Sequence, residues 1–567
     1  MKRIACVVFV ALAGIASAGA ADPPSIFLRP SSPVPFWSWT GLYAGVHVGG
    51  GAGFTRFNDP AGPSIYGGNV RSPLALGGAQ IGYNWQIPNT SFVLGAEGDA
   101  SALGSDGTNT CFASSGFVIS ANCRVSQTFA GTIAARLGYA VDSHARTLLY
   151  AKGGLAAMHQ DVEATTNGIL PVRESNVNST RIGWLAGAGV ERALTPAWSL
   201  KLEYNYMDFG TDQVVKPATF RQVIPGADAY VAVPAGLSDT RHMTHAVKLG
   251  VNLKFNEDSR ATWKPSDSEY ALKGPIVAHG AGAVVEVGTR AWYSFGRHQK
   301  DLGGINLSQN LLVSRLTYDT SAASGEAFGR IDTPDGFFVK GFAGAGRILN
   351  GKMHDEDWVI FDATVPYSNT LSQPVKGSLA YATFDVGYAV FRGPNAKVGG
   401  FLGYNYSKDS NSAYGCSQIV ANPDSVCVPA LQDTTLVITQ DNQWHALRTG
   451  LNGVVTLGNG FSLTAEAAYL PYVQFSGVDN HLLRTDVSDT VSRETATGQG
   501  VQLEALLSYS FNPAFSVGAG GRYWAAWVNN SAYVNIFGTE CPCQTLPSRS
   551  ERYGGFVQAS YRFDGLK

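Results

Sequence analysis

The sequence predicts an all-β chain that forms two transmembrane antiparallel up-and-down β-barrels in tandem, eight strands followed by ten. Its 567 residues are too many for one ordinary domain. Alternating apolar and polar residues run for about 10–15 positions at a time, which exceeds the ~5–6 typical of soluble sheets and suits tilted membrane strands. Only 15% of residues are charged and the net charge is −2, which argues against nucleic acid as a partner.

The first half predicts eight strands joined alternately by tight turns and long polar connections. The segments PNTS, DSHA and TPA are tight turns at one end, and long loops lie at the other, the pattern of an outer-membrane barrel. The strands are expected near 41–53, 76–87, 92–103, 127–141, 147–165, 179–194, 198–210 and 239–255.

The second half repeats this pattern with ten strands, and its turns are PDG, GPNA, GNG and NPAF. Glycine-rich runs such as GFAGAG lie within these strands without a following helix, so they predict bends rather than phosphate binding. The strands are expected near 283–296, 311–333, 337–349, 378–391, 397–407, 444–457, 461–476, 499–511, 516–528 and 552–563.

The ends of the barrels fix the predicted domain organisation. Lys2, Arg3 and the apolar run after them predict a signal peptide. An even number of strands returns each barrel's chain ends to the same side, so the linker is expected in the periplasm. The predicted segments are a signal peptide (1–20), an N-terminal periplasmic segment (21–36), the first barrel (37–255), a periplasmic linker (256–282) and the second barrel (283–567).

Six of the seven cysteines occur as close neighbours in the long loops, and Cys6 falls in the signal peptide. An even number in an exported chain favours disulfides. Fifteen pairings are possible and local ones are the simplest. Zinc is the alternative, but no histidine lies at ligand spacing. The neighbours are Cys111 and Cys123, Cys416 and Cys427, and Cys541 and Cys543.

Two acidic stretches of the second half, MHDEDW and FSGVDNHLLR, are the candidate functional residues. They are expected in its second and fourth long loops. Alternate residues of an extended chain point the same way, so Asp355 pairs with Asp357 and Asp479 pairs with His481. The two loops are four strands apart in a ring of ten, which places the pairs opposite each other across the mouth.

These groups suit the hydrolysis of a peptide bond. The imidazole of His481 can accept a proton from water near neutral pH, and Asp479 can orient it. Two close carboxylates raise one pKa, so either Asp355 or Asp357 can stay protonated and hold the water. His354 is a competing base, but it points to the opposite side. Each stretch taken alone is better explained as a solvated loop, and it is the occurrence of both in facing loops that favours a site.

Over residues 283–563 the second half resembles the omptin family of outer-membrane proteases. That family carries Asp-x-Asp followed by Trp in the second loop and Asp-x-His in the fourth. The resemblance therefore assigns catalysis to Asp355, Asp357, Asp479 and His481 and places Trp358 at the substrate pocket. It implies an aspartic-type endopeptidase that attacks peptide or protein substrates with activated water, without a covalent intermediate, a metal or another cofactor.

The resemblance also implies positions for substrate and lipid contacts. Omptins that cleave between basic residues carry acids on the pocket floor, where this chain has Gly296 and Gly477. A wider, neutral pocket without strong preference for Arg or Lys is therefore expected. Omptins require lipopolysaccharide, and Tyr404 and Lys408 match that family site loosely.

The first half resembles the small eight-stranded outer-membrane barrels of rhizobia over residues 37–255. WTGLYAGVHVGG, GGAQIGYNWQ, FVLGAEGD and GWLAGAGVERAL carry this resemblance. It implies a structural, immunogenic or adhesive barrel and no chemistry. Because the candidate site draws on loops of the second barrel, the first barrel is expected to take no part in it.

Two other functions compete with proteolysis. A non-catalytic surface or adhesion barrel could keep the acids by descent. A passive porin ranks last because side chains largely fill the lumen of a ten-stranded barrel. In each case the expected location is the outer membrane of a Gram-negative bacterium, with the candidate site facing the exterior.

Overall fold

Within the described residues of the computed structural model, every regular element is a β-strand. No helix there is both long and apolar enough to cross a membrane. The predicted signal peptide, the N-terminal segment, nearly all of the linker, and Cys541 with Cys543 lie outside the described residues. The structure describes residues 37–113, 120–141, 145–167, 172–222, 230–255, 282–303, 311–358, 367–393, 395–420, 427–485, 488–535 and 544–566.

The first sheet closes on itself as a barrel. Its long strands pair in the order β1-β2-β3-β5-β6-β7-β8-β11, and β11 returns to β1 with Phe255 opposite Leu42. The short strand β4 continues the edge of β3 along β5, and β9 and β10 pair separately. The strands are β1 (Gly41–Phe57), β2 (Asn69–Gln86), β3 (Phe92–Ser105), β4 (Gly107–Cys111), β5 (Ala121–Ala140), β6 (Thr147–Thr166), β7 (Glu174–Ala193), β8 (Trp198–Lys216), β9 (Thr219–Gln222), β10 (Tyr230–Val233) and β11 (Gly236–Phe255).

The second sheet also closes as a barrel. Its long strands pair in the order β12-β13-β14-β16-β17-β18-β19-β20-β21-β23, and β23 returns to β12. The prediction of two antiparallel barrels in tandem is thus confirmed. The strands are β12 (Ala283–Gly303), β13 (Leu312–Asp332), β14 (Phe337–Asp357), β15 (Ser368–Ser372), β16 (Val375–Gly393), β17 (Ala396–Gln418), β18 (Leu431–Gly458), β19 (Phe461–His481), β20 (Val491–Ser510), β21 (Phe515–Asn535), β22 (Gln544–Thr545) and β23 (Ser548–Leu566).

Both acidic stretches lie on strands rather than in loops, contrary to the prediction. β14 and β19 each have 21 residues, whereas about 9–11 residues of tilted strand cross a membrane. Exposed Tyr469 and Tyr472 mark one aromatic girdle of β19. Asp479 follows Tyr472 at roughly 3.3 Å per residue and therefore lies well beyond that girdle. Pairing continues there because neighbouring strands extend equally far, with Asp479 opposite Gln440.

Ion pairs fill the lumen of the first barrel. Glu97, Asp99 and Glu203 stand close enough together to hold a metal ion. Lysine ammonium groups already meet these acids, however, so the cluster is explained as a structural network that compensates buried charge. The pairs are Lys201 with Glu97 at 3.0 Å, Lys152 with Glu203 at 2.7 Å and Lys248 with Asp99 at 2.6 Å.

The second lumen is filled in the same way. Arg522 is fully buried and pairs with Glu326 at 2.8 Å and with Glu504 at 2.7 Å. Arg448 pairs with Glu466 at 2.6 Å. A cavity of about 160 Å³ remains between such charged groups at the end of the barrel opposite the acidic stretches.

The two barrels stand side by side with their outer faces in contact. Ala75, Leu200 and Leu249 of the first barrel share one buried apolar cluster with Val501 and Trp527 of the second. The approach is close enough to require glycine, because a Cβ on Gly50 would come within 2.8 Å of the Val501 side chain. Nearer the mouth, Arg71 pairs with Glu551 at 2.6 Å and Tyr523 donates a hydrogen bond to the Gly51 carbonyl at 2.9 Å.

Candidate active site

The outer end of β14 supplies the first acidic pair. Asp357 is the last residue of this strand, and Asp355 lies two residues earlier, on the same face. Their partners on β13 are Ser314 and Leu316, which keep both aspartates in regular sheet geometry. Alternation therefore turns both carboxyl groups toward the mouth and Glu356 to the outer face, as expected from the sequence.

The outer end of β19 supplies the second pair. The ring nitrogen Nε2 of His481 donates a hydrogen bond to Oδ2 of Asp479 at 2.9 Å. The Asp479 side chain is 6% exposed and that of His481 is 21% exposed. The histidine is thus the member of this pair that reaches the open mouth.

Lys300 on β12 belongs to the same cluster, and the sequence analysis did not identify it. Its ammonium group donates to Oδ2 of Asp479 at 2.7 Å, to Glu494 at 2.5 Å and to Gln440 at 2.6 Å. The side chain is 2% exposed. Gly296 and Lys300 are four residues apart on one strand, so they point to the same face. The basic segment FGRHQKDL could therefore have predicted that a cation faces the mouth.

Charge and burial set unequal pKa values in the cluster. Burial raises the pKa of Asp355 to about 8, and the neighbouring Asp357 adds to the rise. Desolvation also raises the pKa of Asp357, although part of that side chain reaches solvent. An aspartate with a pKa near 8 is protonated at neutral pH and can donate a hydrogen bond.

In the second pair, both pKa values shift in the direction that favours the charged form. Burial would raise the pKa of Asp479, but the positive charges of His481 and Lys300 outweigh it and the pKa falls. Burial would lower the pKa of His481, but the Asp479 charge and hydrogen bond raise it to about 9. The pKa of Asp355 also responds to His481 and Asp479, so the two pairs form one electrostatic cluster across the mouth.

Two carboxylate oxygens of the cluster are left for a further donor. Among the described residues, Oδ1 of Asp355 and Oδ1 of Asp479 are buried and accept no hydrogen bond. Buried polar atoms are usually paired, so such atoms in a mouth are typical of a position that binds water or substrate.

The two glycines of the expected pocket floor do not leave open space. A Cβ on Gly296 would meet the guanidinium group of Arg552 at 2.5 Å, and a Cβ on Gly477 would overlap the Glu494 carboxylate. Neighbouring strands thus fill both positions with charged side chains. The expectation of a wider pocket is wrong for this reason, and Glu494 brings to Gly477 an acid that the family resemblance did not predict.

The remaining predicted residues lie away from the cluster. Trp358 is 3% exposed, stacks on Tyr367 with ring centroids 5.4 Å apart, and donates to Ser120 of the first barrel at 2.9 Å. Tyr404 faces outward on β17 and hydrogen-bonds His445. Alternation places Lys408 on the same outer face. The structure therefore does not bring Trp358, Tyr404 or Lys408 together with the four catalytic candidates.

The first barrel contacts the outer face of β14 behind the site, while all four catalytic candidates lie in the second barrel. His354 packs against Tyr66, with the two rings tilted and their centroids 4.4 Å apart. Glu356 accepts a hydrogen bond from Thr110 at 3.0 Å. A sequence read one barrel at a time could not reveal these contacts, because the partners are more than 200 positions apart.

Two family models match the chain. Residues 8–255 match the outer membrane protein β-barrel domain, and residues 342–535 match the omptin family. The omptin match covers most of β14, all of β19 and the four catalytic candidates, whereas Lys300 precedes it. The barrels thus match different families, in the order in which the sequence predicts them.

Individual relatives agree with this division. A 31 kDa outer-membrane immunogenic protein of Brucella melitensis is 31% identical over 231 residues, which are 40% of this chain and 87% of that protein. A 22 kDa outer membrane protein of Rhizobium leguminosarum is 29% identical over 222 residues, 39% of this chain and 80% of that protein.

Similarity to solved structures extends over parts of the chain. The outer membrane protease OmpT from Escherichia coli has a TM-score of 0.39 and 15% identity, covering 51% of this chain and 99% of that protein. The chain therefore belongs to the outer-membrane β-barrel family through its first barrel, its second barrel matches the omptin family over residues 342–535, and its place is the Gram-negative outer membrane.

Proposed function

We propose that the mouth of the second barrel is an endopeptidase site that faces the cell exterior and hydrolyses peptides or proteins with an activated water. The observation that carries this proposal is the hydrogen-bonded Asp479–His481 pair, held in one electrostatic cluster with Asp355 and Asp357. General base, orienting carboxylate and neutral acid are then present in one water-accessible mouth.

Each group has a role in the proposed reaction. Neutral His481 takes a proton from water through the ring nitrogen that is not bonded to Asp479, and the resulting hydroxide attacks the carbonyl carbon. Protonated Asp355 donates a hydrogen bond to the oxyanion. The imidazolium, stabilised by Asp479, then gives its proton to the departing amine as the C–N bond breaks. No covalent enzyme intermediate, metal or other cofactor takes part in this scheme.

Lipopolysaccharide is included in the proposal as a contact of the outer surface. Tyr404 is 43% exposed on the outer face of β17, and Lys408 follows it on the same face. An aromatic ring with a nearby cation suits a lipid boundary that carries phosphate groups. Both residues lie away from the mouth, so such contacts would support the barrel rather than enter the reaction.

The decisive experiment uses full-length protein refolded in detergent with lipopolysaccharide and a diverse peptide library. His481→Ala and Asp479→Ala are expected to lose at least 100-fold in cleavage rate, the lower range for a general base. His159→Ala is the matched control, because His159 lies on β6 of the first barrel and bonds Thr180. Its cleavage rate should stay within twofold of that of the unmodified protein.

The competing reading is a non-catalytic surface or adhesion barrel. It is supported if the folded, unmodified protein cleaves no peptide. It is also supported if both site variants keep cleavage within a few-fold of the unmodified protein.

A further inference from the structure

A hairpin of the first barrel lies against the outer face of the proposed site. It consists of β4 (Gly107–Cys111) and the facing residues Ala121–Val125 of β5, closed by the disulfide between Cys111 and Cys123. We call it the disulfide hairpin. Thr108, Asn109 and Thr110 of β4 are buried, although this short strand belongs to a connection between barrel strands, where loops normally meet solvent. The Thr108 carbonyl accepts a hydrogen bond from Gln299 of the second barrel at 3.2 Å.

The central contact is made to Glu356, the residue between Asp355 and Asp357. Thr110 donates its hydroxyl to Oε2 of Glu356 at 3.0 Å, and Tyr367 donates to Oε1 at 2.5 Å. Glu356 is fully buried. One of its carboxylate oxygens accepts a hydrogen bond from the first barrel, and the other accepts one from the second. Burial raises the pKa of Glu356 to about 7, and the Arg315 charge, followed by the two hydroxyls, moderates that rise.

Arginines of the second barrel anchor the disulfide hairpin. Arg315 donates to Thr110 at 2.9 Å and to Asn122 at 2.5 Å, and it pairs with Asp301 at 2.7 Å. Its side chain is fully buried. The adjoining Asp106 pairs with Arg549 at 2.7 Å. Buried hydrogen bonds that involve a charged group are stronger than those between neutral groups. Removing one partner leaves a buried charge without compensation, which is destabilising.

We propose that the disulfide hairpin is a positioning element of the active site and that Thr110 is its positioning residue. This inference rests on the proposed proteolytic function. Alternation puts Asp355 and Asp357 on the inner face and Glu356 on the outer face of one strand end. Fixing Glu356 from behind therefore fixes the backbone that carries both carboxyl groups. A displacement of about 1 Å can cost about 100-fold in rate.

The test compares Thr110→Val, which removes the hydroxyl and keeps the shape, with Thr110→Ser, which restores it. Thr110→Val should lower kcat roughly tenfold, or about 1.4 kcal/mol in the barrier, with KM within twofold. The KM should hold because Thr110 faces the back of β14. Thr110→Ser should recover most of the activity, which a role in packing alone would not explain.

A second readout does not require cleavage. Hydrogen–deuterium exchange of the backbone over 353–358 should quicken several-fold in Thr110→Val and stay slow in Thr110→Ser. The matched control is Thr132→Val, which loses a 2.5 Å bond to Asp99 inside the first lumen. It should leave both exchange over 353–358 and kcat unchanged. Should Thr110→Val fail to fold, Ser120→Ala removes the bond to Trp358 and should act in the same direction.

The two proposals can fail separately. If the unmodified protein cleaves nothing, the proposed function fails, and the exchange experiment still decides whether the disulfide hairpin holds the strand end. If Thr110→Val, or Ser120→Ala in its place, leaves both kcat and exchange over 353–358 unchanged, the positioning role is overturned. The same conclusion follows if Thr110→Ser loses as much kcat as Thr110→Val.

Discussion

Lys300 and His481 share one oxygen atom: both donate a hydrogen bond to Oδ2 of Asp479, at 2.7 Å and 2.9 Å. The aspartate therefore balances two cations at once and stays ionised. Because the cations repel each other, the Lys300 charge lowers the pKa of His481 while the Asp479 charge raises it. The balance of these two effects determines the pKa of His481 and therefore the pH at which this histidine can act as a base.

Cleavage should be fastest in alkaline solution. The base must be neutral His481, with a pKa of about 9, and the acid must be protonated Asp355, with a pKa of about 8. The rate rises as His481 loses its proton and falls as Asp355 loses its own, so kcat/KM should form a bell with its maximum between pH 8 and 9. A maximum below pH 7 would contradict the assignment of these roles.

Replacing Lys300 by Met should move that bell to higher pH. The Lys300 charge lowers the pKa values of both His481 and Asp355, so its removal raises both. The control is Lys352→Met, which alters an exposed lysine on the outer face of β14 and should leave the bell in place. An unshifted maximum in Lys300→Met would show that the lysine does not act on the titrating groups.

The unmodified protein should show no strong preference for Arg or Lys on the acyl side of the cut. The acid nearest Gly477 is Glu494, and Lys300 already occupies it at 2.5 Å. Lys300→Met frees this carboxylate and should raise cleavage after Arg relative to Leu by about 5- to 150-fold, the value of one charged hydrogen bond. The measurement is the ratio of kcat/KM for two peptides that differ at that residue alone.

Cleavage almost exclusively between paired basic residues would contradict this assignment of the pocket. Gly477→Asp is a poorer test, because the added side chain would collide with Glu494.

Removing Glu326 should destabilise the second barrel strongly. Arg522 and Arg290 both pair with Glu326, at 2.8 Å and 2.9 Å, and both also contact Glu504. Glu326→Ala therefore leaves two largely buried guanidinium groups to share one carboxylate, and breaking such a buried pair costs about 3–5 kcal/mol. The matched control is Asp319→Ala, which breaks the partly exposed 3.5 Å pair with Arg297 and should cost about 0–1 kcal/mol. Urea unfolding in lipid vesicles measures both free energies, and equal costs would contradict the argument.

Sequence reasoning found what depends on local periodicity and missed what depends on contacts between distant strands. Alternation along a single strand was enough to pair Asp355 with Asp357 and to turn His354 away from the mouth. It could not reveal that Glu494 fills the space at Gly477, because strand register is set by pairing across the sheet. Lys300 was visible as a cation in a basic segment, but its acidic partners come from β19 and β20.

The contact between the outer faces of the barrels has a consequence for how substrates arrive. Where Leu200 packs against Gly453 and Gly50 against Val501, no lipid separates the two walls. The pair therefore shares a single annulus of lipid and turns in the membrane as one body. Tyr66 and the disulfide hairpin therefore keep a fixed position relative to the mouth of the second barrel. Every peptide substrate that approaches this mouth meets the same side of the first barrel.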